Sequence, residues 1–138
     1  MSLRIFYHPY YSSLTLPERH RFPLAKYQAL FEHLGSLGYP LAEAAPATPE
    51  QIKRVHDAGY VEAALAGQLE REAIRRLGFP WSPMLIERTL RSVGATVAAS
   101  RHALEQGCGL QISGGYHHAH RDFGSGFCLF NDLVIAAR

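Results

Sequence analysis

Residues 113–120 read Ser-Gly-Gly-Tyr-His-His-Ala-His, and residues 123–128 continue with Phe-Gly-Ser-Gly-Phe-Cys. The stretch directly follows a short apolar run, Leu-Gln-Ile at 110–112, which predicts a strand. The adjacent Gly114 and Gly115 allow backbone angles that other residues avoid, so we expect the strand to give way to a tight loop there. Ligands of open α/β sheets bind at the carboxyl ends of the strands, so imidazole side chains are predicted where a site is expected.

The segments before this loop alternate between strand and helix patterns. Branched and aromatic residues predict a strand at 3–7 and a short strand at 39–44. Helical spacing and capping residues predict helices at 24–37, 48–56, 58–67, 69–77, 84–106 and 133–137. This order predicts an α/β fold in which the longest helix and the strand after it form half of a βαβ unit.

Two of these helices have a predicted buried face. In the long helix, apolar residues spaced by four, three, four and seven predict one buried face: Ile86, Leu90, Val93, Val97 and Leu104. In the first helix the shared face is Leu24, Tyr27, Leu30, Phe31 and Leu34. Either Asn131 or Asp132 caps the last helix, and a cap is the favoured interpretation of Asp132.

Bulk properties exclude several classes of protein. The chain has 138 residues, 47% of them hydrophobic and 19% charged, which is typical of one globular domain. A formal charge of +2 predicts no direct nucleic-acid binding, and no apolar run approaches the roughly 18 residues of a membrane helix. Cys108 and Cys128 without a secretion signal indicate a reducing, cytoplasmic setting. The last helical pattern stops at Arg138 without an end cap, so residues 1–138 are expected to be the front portion of a longer fold.

The adjacent histidines His117 and His118 allow three interpretations. In an extended strand they would point to opposite faces, whereas an irregular loop lets both serve one site as general base and general acid. On spacing alone, the favoured interpretation is that one histidine lies in the core and bonds a backbone carbonyl, while the other is exposed to solvent. A third interpretation is metal binding by His117, His118 and His120. No Cys-x-x-Cys, His-Glu-x-x-His or Asp-x-His pattern occurs, so a complete zinc site is not predicted within the chain.

The neighbouring residues also leave alternatives open. Gly126 and Phe127 either line a narrow apolar slot or place the ring in the core beneath the loop. Cys128 lies in an apolar run, which favours an inert buried thiol over a nucleophile. Asp122 and Asp132 are the nearby carboxylates that could orient a histidine.

Taken together, the Gly-Gly-x-His-His stretch at 114–118 and the Gly-Phe-Cys-x-x-Asn-Asp stretch at 126–132 closely resemble the histone deacetylase superfamily. That superfamily includes acetoin-utilisation proteins and acetylpolyamine amidohydrolases. Weaker agreement extends through residues 7–9, 20–23, 55–60 and 78–81, and the pattern looks most similar to bacterial and class IV-like members.

The resemblance implies a largely parallel α/β sheet with helices on both faces, similar to arginase, and a zinc-dependent removal of acyl groups from amides. It implies that His118 is the general base and later acid, and that His117 assists it. Gly126 and Phe127 would line the acyl-lysine channel, Tyr116 would border an internal cavity, and Arg21 would lie at the exit of that cavity. Acetyl-lysine, an acetylated polyamine or a small amide is the implied substrate.

The family's remaining site residues have no counterpart here. Its zinc ligands, an Asp-x-His and a later aspartate, and its carbonyl-polarising tyrosine are expected downstream of Arg138. The chain alone is therefore predicted to lack the metal and to be inactive, unless a missing C-terminal half or self-association completes it. The alternative is a truncated, non-catalytic homologue or interaction module.

Overall fold

The computed structural model describes residues 2–138, and their strands form a parallel sheet in the order β2-β1-β3. The strands are β1 (Ser2–Phe6), β2 (Leu41–Ala42) and β3 (Gly107–Gln111). A short 3-10 helix (Pro9–Ser12) is followed by α1 (Lys26–Ser36), α2 (Pro49–Lys53), α3 (Ala58–Ala66), α4 (Arg71–Leu77), α5 (Pro83–Gln106) and α6 (Asp132–Ala137). The predicted α/β class with a parallel sheet is confirmed.

Helices cover both faces of this sheet. The connection from β1 to β2 and the connection from β2 to β3 run in opposite directions across the sheet. Because such crossovers are right-handed, their helices lie on opposite faces of the sheet. On one face the Tyr7 ring stacks on Phe31 of α1 with a centroid separation of 4.1 Å. On the other, the Gln111 side chain donates to the Ser92 carbonyl of α5 at 2.9 Å. The long helix α5 therefore lies directly beneath the loop that follows β3.

The helix starts follow from local capping chemistry. Thr48 and Gln51 form the predicted capping box, with each side chain accepting from the other's backbone N–H at 3.3 and 2.9 Å. Ser82 accepts from the Leu85 N–H at 3.0 Å and starts α5 ahead of Pro83. These caps satisfy amides that a helix leaves free.

Three predictions about these elements are wrong in detail. Leu104 is 89% exposed because the last turn of α5 faces a cleft against α6 that no residue in 2–138 fills. Leu30 of α1 is 46% exposed, on a side of the helix that the sheet does not cover. The third strand begins at Gly107 and not at residue 110, because the left-handed φ of 91° at Gly107 turns the chain from α5 straight into the sheet.

The main core lies between α3, α5 and the end of the loop before α6. Val61, Leu85 and Phe130 are all fully buried there.

Within residues 2–138, no helix has both the length and the apolarity of a membrane span.

Candidate active site

The loop after β3 brings the two adjacent histidines to one place. Gly114 and Gly115 have φ angles of 124° and 79°, so the chain leaves the extended conformation before residue 117. The His117 and His118 rings lie side by side, with centroids 4.1 Å apart and planes at 46°. Both side chains are exposed, so the interpretation of one histidine as a core residue does not describe this structure.

His117 has a defined ring orientation. Its Nδ1 lies 2.8 Å from the Gly115 carbonyl oxygen, and because a carbonyl only accepts, Nδ1 carries the proton. The other ring nitrogen, Nε2, is then free to accept a proton or a hydrogen bond. The His117 ring therefore has a fixed orientation and a defined tautomer.

Gly126 lets the second part of the loop approach the His118 ring. A Cβ atom at this position would lie 3.2 Å from Cδ2 of that ring, and the φ angle of 55° is one that side chains rarely adopt. Phe127 follows with a φ of 66°, which is unusual for a residue with a Cβ. Its N–H donates to the Leu77 carbonyl at 2.8 Å, and this bond holds the unusual conformation.

The Phe127 ring forms part of an aromatic wall. It is half-buried, with its centroid 5.4 Å from Phe22, 5.1 Å from Phe79 and 5.4 Å from His20. His20 is fixed because its Nε2 donates to the Gly78 carbonyl at 2.7 Å. The wall therefore presents a fixed, partly exposed apolar surface next to the paired histidines.

Tyr116 lies below the histidines and is buried. Its hydroxyl meets Ser92 at 2.9 Å and Ser113 at 2.8 Å, and it accepts from Nη1 of Arg88 at 3.2 Å. Arg88 is 1% exposed, whereas Arg21, the arginine singled out from the sequence, is exposed in the loop before α1. The guanidinium that contacts Tyr116 thus comes from α5.

Arg88 is held from several sides. Its Nε donates to the Tyr11 carbonyl at 2.9 Å, and its guanidinium lies 5.2 and 5.1 Å from the Phe22 and Tyr27 ring centroids. Burial raises the pKa of Tyr11 above its ordinary value, so this neighbour stays protonated. The positive charge therefore sits in a rigid aromatic and hydroxyl environment.

Asp132 is not a helix cap, contrary to the favoured interpretation. The Asn131 side chain accepts from the Val134 N–H at 3.2 Å and caps α6. Asp132 is 0% exposed, and its carboxylate accepts from the backbone N–H groups of Gly115 at 3.0 Å and Tyr116 at 2.7 Å. The cap prediction failed because Asn131 already satisfies the free amide, which leaves the next side chain to turn inward.

A polar stripe on α5 was missed from the sequence. Arg88, Ser92 and Thr96 are spaced by four, so they share one helix face, and all three are buried. The signal was present as polar residues repeating at helical spacing between the apolar positions of the same helix. We call these three residues the α5 stripe.

His56 holds the far end of the loop. Its Nδ1 lies 3.1 Å from the Arg121 carbonyl, and its Nε2 accepts from the Asn131 N–H at 2.9 Å. Burial lowers the pKa of His56, in agreement with a neutral ring that donates on one side and accepts on the other. Tyr60 adds a bond from its hydroxyl to the Leu129 carbonyl at 2.7 Å.

Cys128 belongs to the interior. It is buried, its Sγ donates to the Gly126 carbonyl at 3.4 Å, and burial raises the pKa of the thiol. A thiol that resists ionisation is a poor nucleophile.

Metal binding is the third interpretation of the paired histidines. Within residues 2–138, no three His, Cys, Asp or Glu side chains come close enough together to hold a metal ion. Nδ1 of His117 is engaged by a carbonyl, and Asp132 by amides. The described residues therefore do not fit a zinc ion by themselves.

Comparison with known proteins places residues 20–138 against the model of the histone deacetylase domain. An uncharacterized protein of Picosynechococcus sp. is 41% identical over 142 residues, a match that covers 100% of this chain and 47% of that protein. Histone deacetylase 2 of Arabidopsis thaliana is 40% identical over 45 residues, which cover 33% of this chain and 12% of that protein.

Two crystal structures share the fold. A histone deacetylase homologue from Aquifex aeolicus superposes with a TM-score of 0.79 at 20% identity, covering 99% of this chain and 40% of its own. The HD domain of HDA15 gives a TM-score of 0.77 at 16% identity, covering 99% of this chain and 42% of its own. The chain therefore spans less than half the length of these relatives.

Proposed function

This chain belongs to the histone deacetylase domain family, and we propose that it carries the paired-histidine part of a zinc-dependent hydrolase that removes acetyl or related acyl groups from amides. The observation that supports this most is the side-by-side arrangement of His117 and His118, 4.1 Å apart at the carboxyl end of β3. Imidazole exchanges protons near neutral pH, which suits a general base and acid.

The proposed reaction splits the amide with water. Water adds to the carbonyl carbon, the carbon–nitrogen bond breaks, and a carboxylic acid and an amine leave. His118 removes a proton from the water and later donates it to the leaving nitrogen, so it returns to its starting state. His117 is proposed to assist it, either by electrostatic help or by taking part in the proton transfer.

Gly126 and Phe127 are proposed to line the channel for the acyl-lysine or similar chain. The half-buried Phe127 ring supports this because it is fixed by Phe22 and Phe79 yet keeps part of its surface free. Tyr116 is proposed to border an internal cavity below the histidines. The exposure of Arg21 suits its proposed position at the exit of that cavity.

Zinc is proposed to be bound by residues that lie beyond Arg138. Residues 1–138 would then form the N-terminal part of a single catalytic domain and would be inactive alone. A C-terminal half, or self-association, is the proposed partner that completes the site.

The proposed substrates are acetylated lysine, an acetylated polyamine or a small amide. The wall around Phe127 is apolar, which suits an alkyl chain and does not discriminate among these. A cytoplasmic location is proposed because Cys108 and Cys128 are both free. With a net charge of +2, no direct binding of nucleic acid is proposed.

The experiment that tests this function is hydrolysis by the full zinc-loaded protein of an acetyl-lysine peptide and of an acetylated polyamine. Replacing His117 and His118 together by alanine should lower kcat by about 1,000-fold or more, since acid–base groups contribute roughly 100- to 10,000-fold. His33→Ala in α1, an exposed histidine away from the loop, is the matched control and should leave kcat unchanged. Full activity in the double variant would contradict the proposal, and an inactive wild type would favour the non-catalytic homologue.

A further inference from the structure

The carboxylate of Asp132 is enclosed by three donors. It accepts from the Gly115 N–H at 3.0 Å, the Tyr116 N–H at 2.7 Å and the Thr96 hydroxyl at 2.6 Å, and the residue is 0% exposed. A buried carboxylate is stable only when donors compensate for the water it has lost. Two of its three donors are backbone groups of the loop, immediately before His117.

The α5 stripe connects this carboxylate to a buried positive charge. Thr96 accepts from the Gln111 amide at 2.6 Å, the same amide group donates to the Ser92 carbonyl at 2.9 Å, and the Ser92 hydroxyl meets that of Tyr116 at 2.9 Å. Arg88 completes the connection through the Tyr116 hydroxyl at 3.2 Å. Tyr116 is therefore held at its backbone by Asp132 and at its hydroxyl by the stripe.

The peptide between Gly115 and Tyr116 carries this restraint to the histidines. In a trans peptide the N–H and C=O point in opposite directions, so fixing one fixes the other. The N–H points at Asp132, and the Gly115 carbonyl points away from it, where it accepts from both the backbone N–H and Nδ1 of His117 at 2.8 Å. The orientation of the His117 ring thus depends on a peptide that Asp132 holds.

Gly114 is part of the same arrangement. A Cβ atom there would lie 2.8 Å from Oδ2 of Asp132, and its φ of 124° is closed to other residues. The first glycine of the pair therefore lets the carboxylate approach the backbone, in addition to making the turn.

We infer that Asp132 is a positioning residue for the paired histidines, and that Thr96 holds its carboxylate in place. It acts on His117 and His118 through the Gly115 and Tyr116 amides and takes no part in proton transfer. This inference rests on the proposed function, because the histidines it positions are the proposed acid and base.

The test uses the full zinc-loaded protein and two kinds of measurement. Asp132→Asn keeps the side-chain volume but turns a donor toward a backbone N–H. We expect kcat to fall by about 10- to 100-fold with KM within about twofold, as for other residues that orient a reacting group. Asparagine keeps one side-chain oxygen, so only one of the two amides, that of Gly115 or that of Tyr116, loses its acceptor. Hydrogen exchange of that amide should accelerate by about tenfold or more.

Substitutions at Thr96 distinguish the effect of the hydrogen bond from that of packing. They keep the test decisive even where Asp132→Asn does not fold. Thr96→Val preserves the volume and removes the hydroxyl, whereas Thr96→Ser keeps the hydroxyl and loses a methyl group. We expect Thr96→Val to lower kcat several-fold and Thr96→Ser to stay near wild type, with about tenfold as the upper bound for this outer contact. The reverse order would show a packing role and overturn the inference.

Thr48→Ala is the control for a simple loss of stability. It removes the cap of α2, far along the chain from the loop, and should lower the unfolding free energy without changing kcat or the exchange of the two amides. Unchanged kcat and unchanged exchange in Asp132→Asn would overturn the inference while leaving the proposed function intact. If the wild type hydrolyses no amide, the proposed function fails, and the exchange measurement still decides whether Asp132 holds the loop.

Discussion

The loop at residues 113–131 is held at its two ends by different chemistry. At the first end, the buried charges of Asp132 and Arg88 hold Tyr116 through its amide and its hydroxyl. At the second end the loop is held by neutral groups, because His56 bonds the Arg121 carbonyl and the Asn131 N–H. The proposed acid and base follow the charged end directly.

This difference predicts that the two ends of the loop respond to different changes, one to substitution and the other to acid. A buried charge that loses its partners is costly, since no water replaces them. A neutral histidine accepts a hydrogen bond at one ring nitrogen, and it can no longer do so once that nitrogen takes up a proton. The charged end should therefore respond most to substitution, and the neutral end should respond to acid.

The largest expected effect is on the charged end, in Arg88→Met. Removing the guanidinium leaves the Tyr11 carbonyl and the Tyr116 hydroxyl without this buried donor, which should cost about 3 kcal/mol of unfolding free energy. Urea denaturation measures it. Arg76→Met, which removes an exposed arginine over the Phe123 ring, is the control and should cost less than about 1 kcal/mol. Equal losses in the two variants would contradict the role given to buried charge.

At the neutral end, Tyr60→Phe should cost about 1.5 kcal/mol, because the Leu129 carbonyl loses a buried donor at 2.7 Å. Tyr39→Phe removes an exposed hydroxyl, 46% of that residue being accessible, and should leave the urea midpoint unchanged. If Tyr60→Phe destabilised the protein more than Arg88→Met, the ranking of the two ends would be wrong.

Gly126→Ala tests the contact between the second part of the loop and His118. A methyl group would meet the His118 ring at 3.2 Å in a left-handed conformation, which should cost about 1 kcal/mol and lower kcat in the full protein. Gly35→Ala in α1 meets nothing within 4 Å and should be neutral or stabilising in the same denaturation experiment. A Gly126→Ala protein with wild-type kcat would show that this approach does not shape the site.

The smallest expected effect is the acid sensitivity of the neutral end. Burial lowers the pKa of His56, so the unfolded chain binds the proton more readily than the folded one. Its contribution to stability is complete above the unfolded value of about 6.5 and decreases as the pH falls below it. Urea denaturation at about pH 7.5 and pH 5.5 should show a smaller loss for His56→Gln than for wild type. Since burial also lowers the pKa of His8, only the difference between the two proteins reports on His56. If both proteins lost the same unfolding free energy between these pH values, His56 would not be the source of the acid sensitivity.

Much of the fold could be predicted from local signals. The capping box at Thr48, the Ser82-Pro83 start of α5 and the glycine at 107 each depend on neighbouring residues, and all appear in the structure. Exposure was harder to predict, as Leu104 shows, because it depends on which distant segments reach the end of a helix.

The site was predicted in part. The glycine pair before His117 indicated an irregular loop, and the structure brings the two imidazoles together there. The cap prediction for Asp132 is wrong because local spacing says nothing of Gly115 and Tyr116, whose backbone N–H groups turn back toward this side chain from an earlier part of the chain. The apolar spacing of α5 does not predict the role of Arg88, because that spacing reports only on the apolar face of the helix.

The most direct test of the account asks whether His118 donates a proton to the leaving group. An amine leaves only when protonated, whereas an alkoxide or phenoxide needs less help, so an ester analogue of the acetyl-lysine peptide depends less on a general acid. In the full zinc-loaded protein, His118→Ala should lower kcat/KM for the amide at least about tenfold more than for the ester. Equal losses for amide and ester would contradict the central claim that His118 is the general acid that protonates the leaving group.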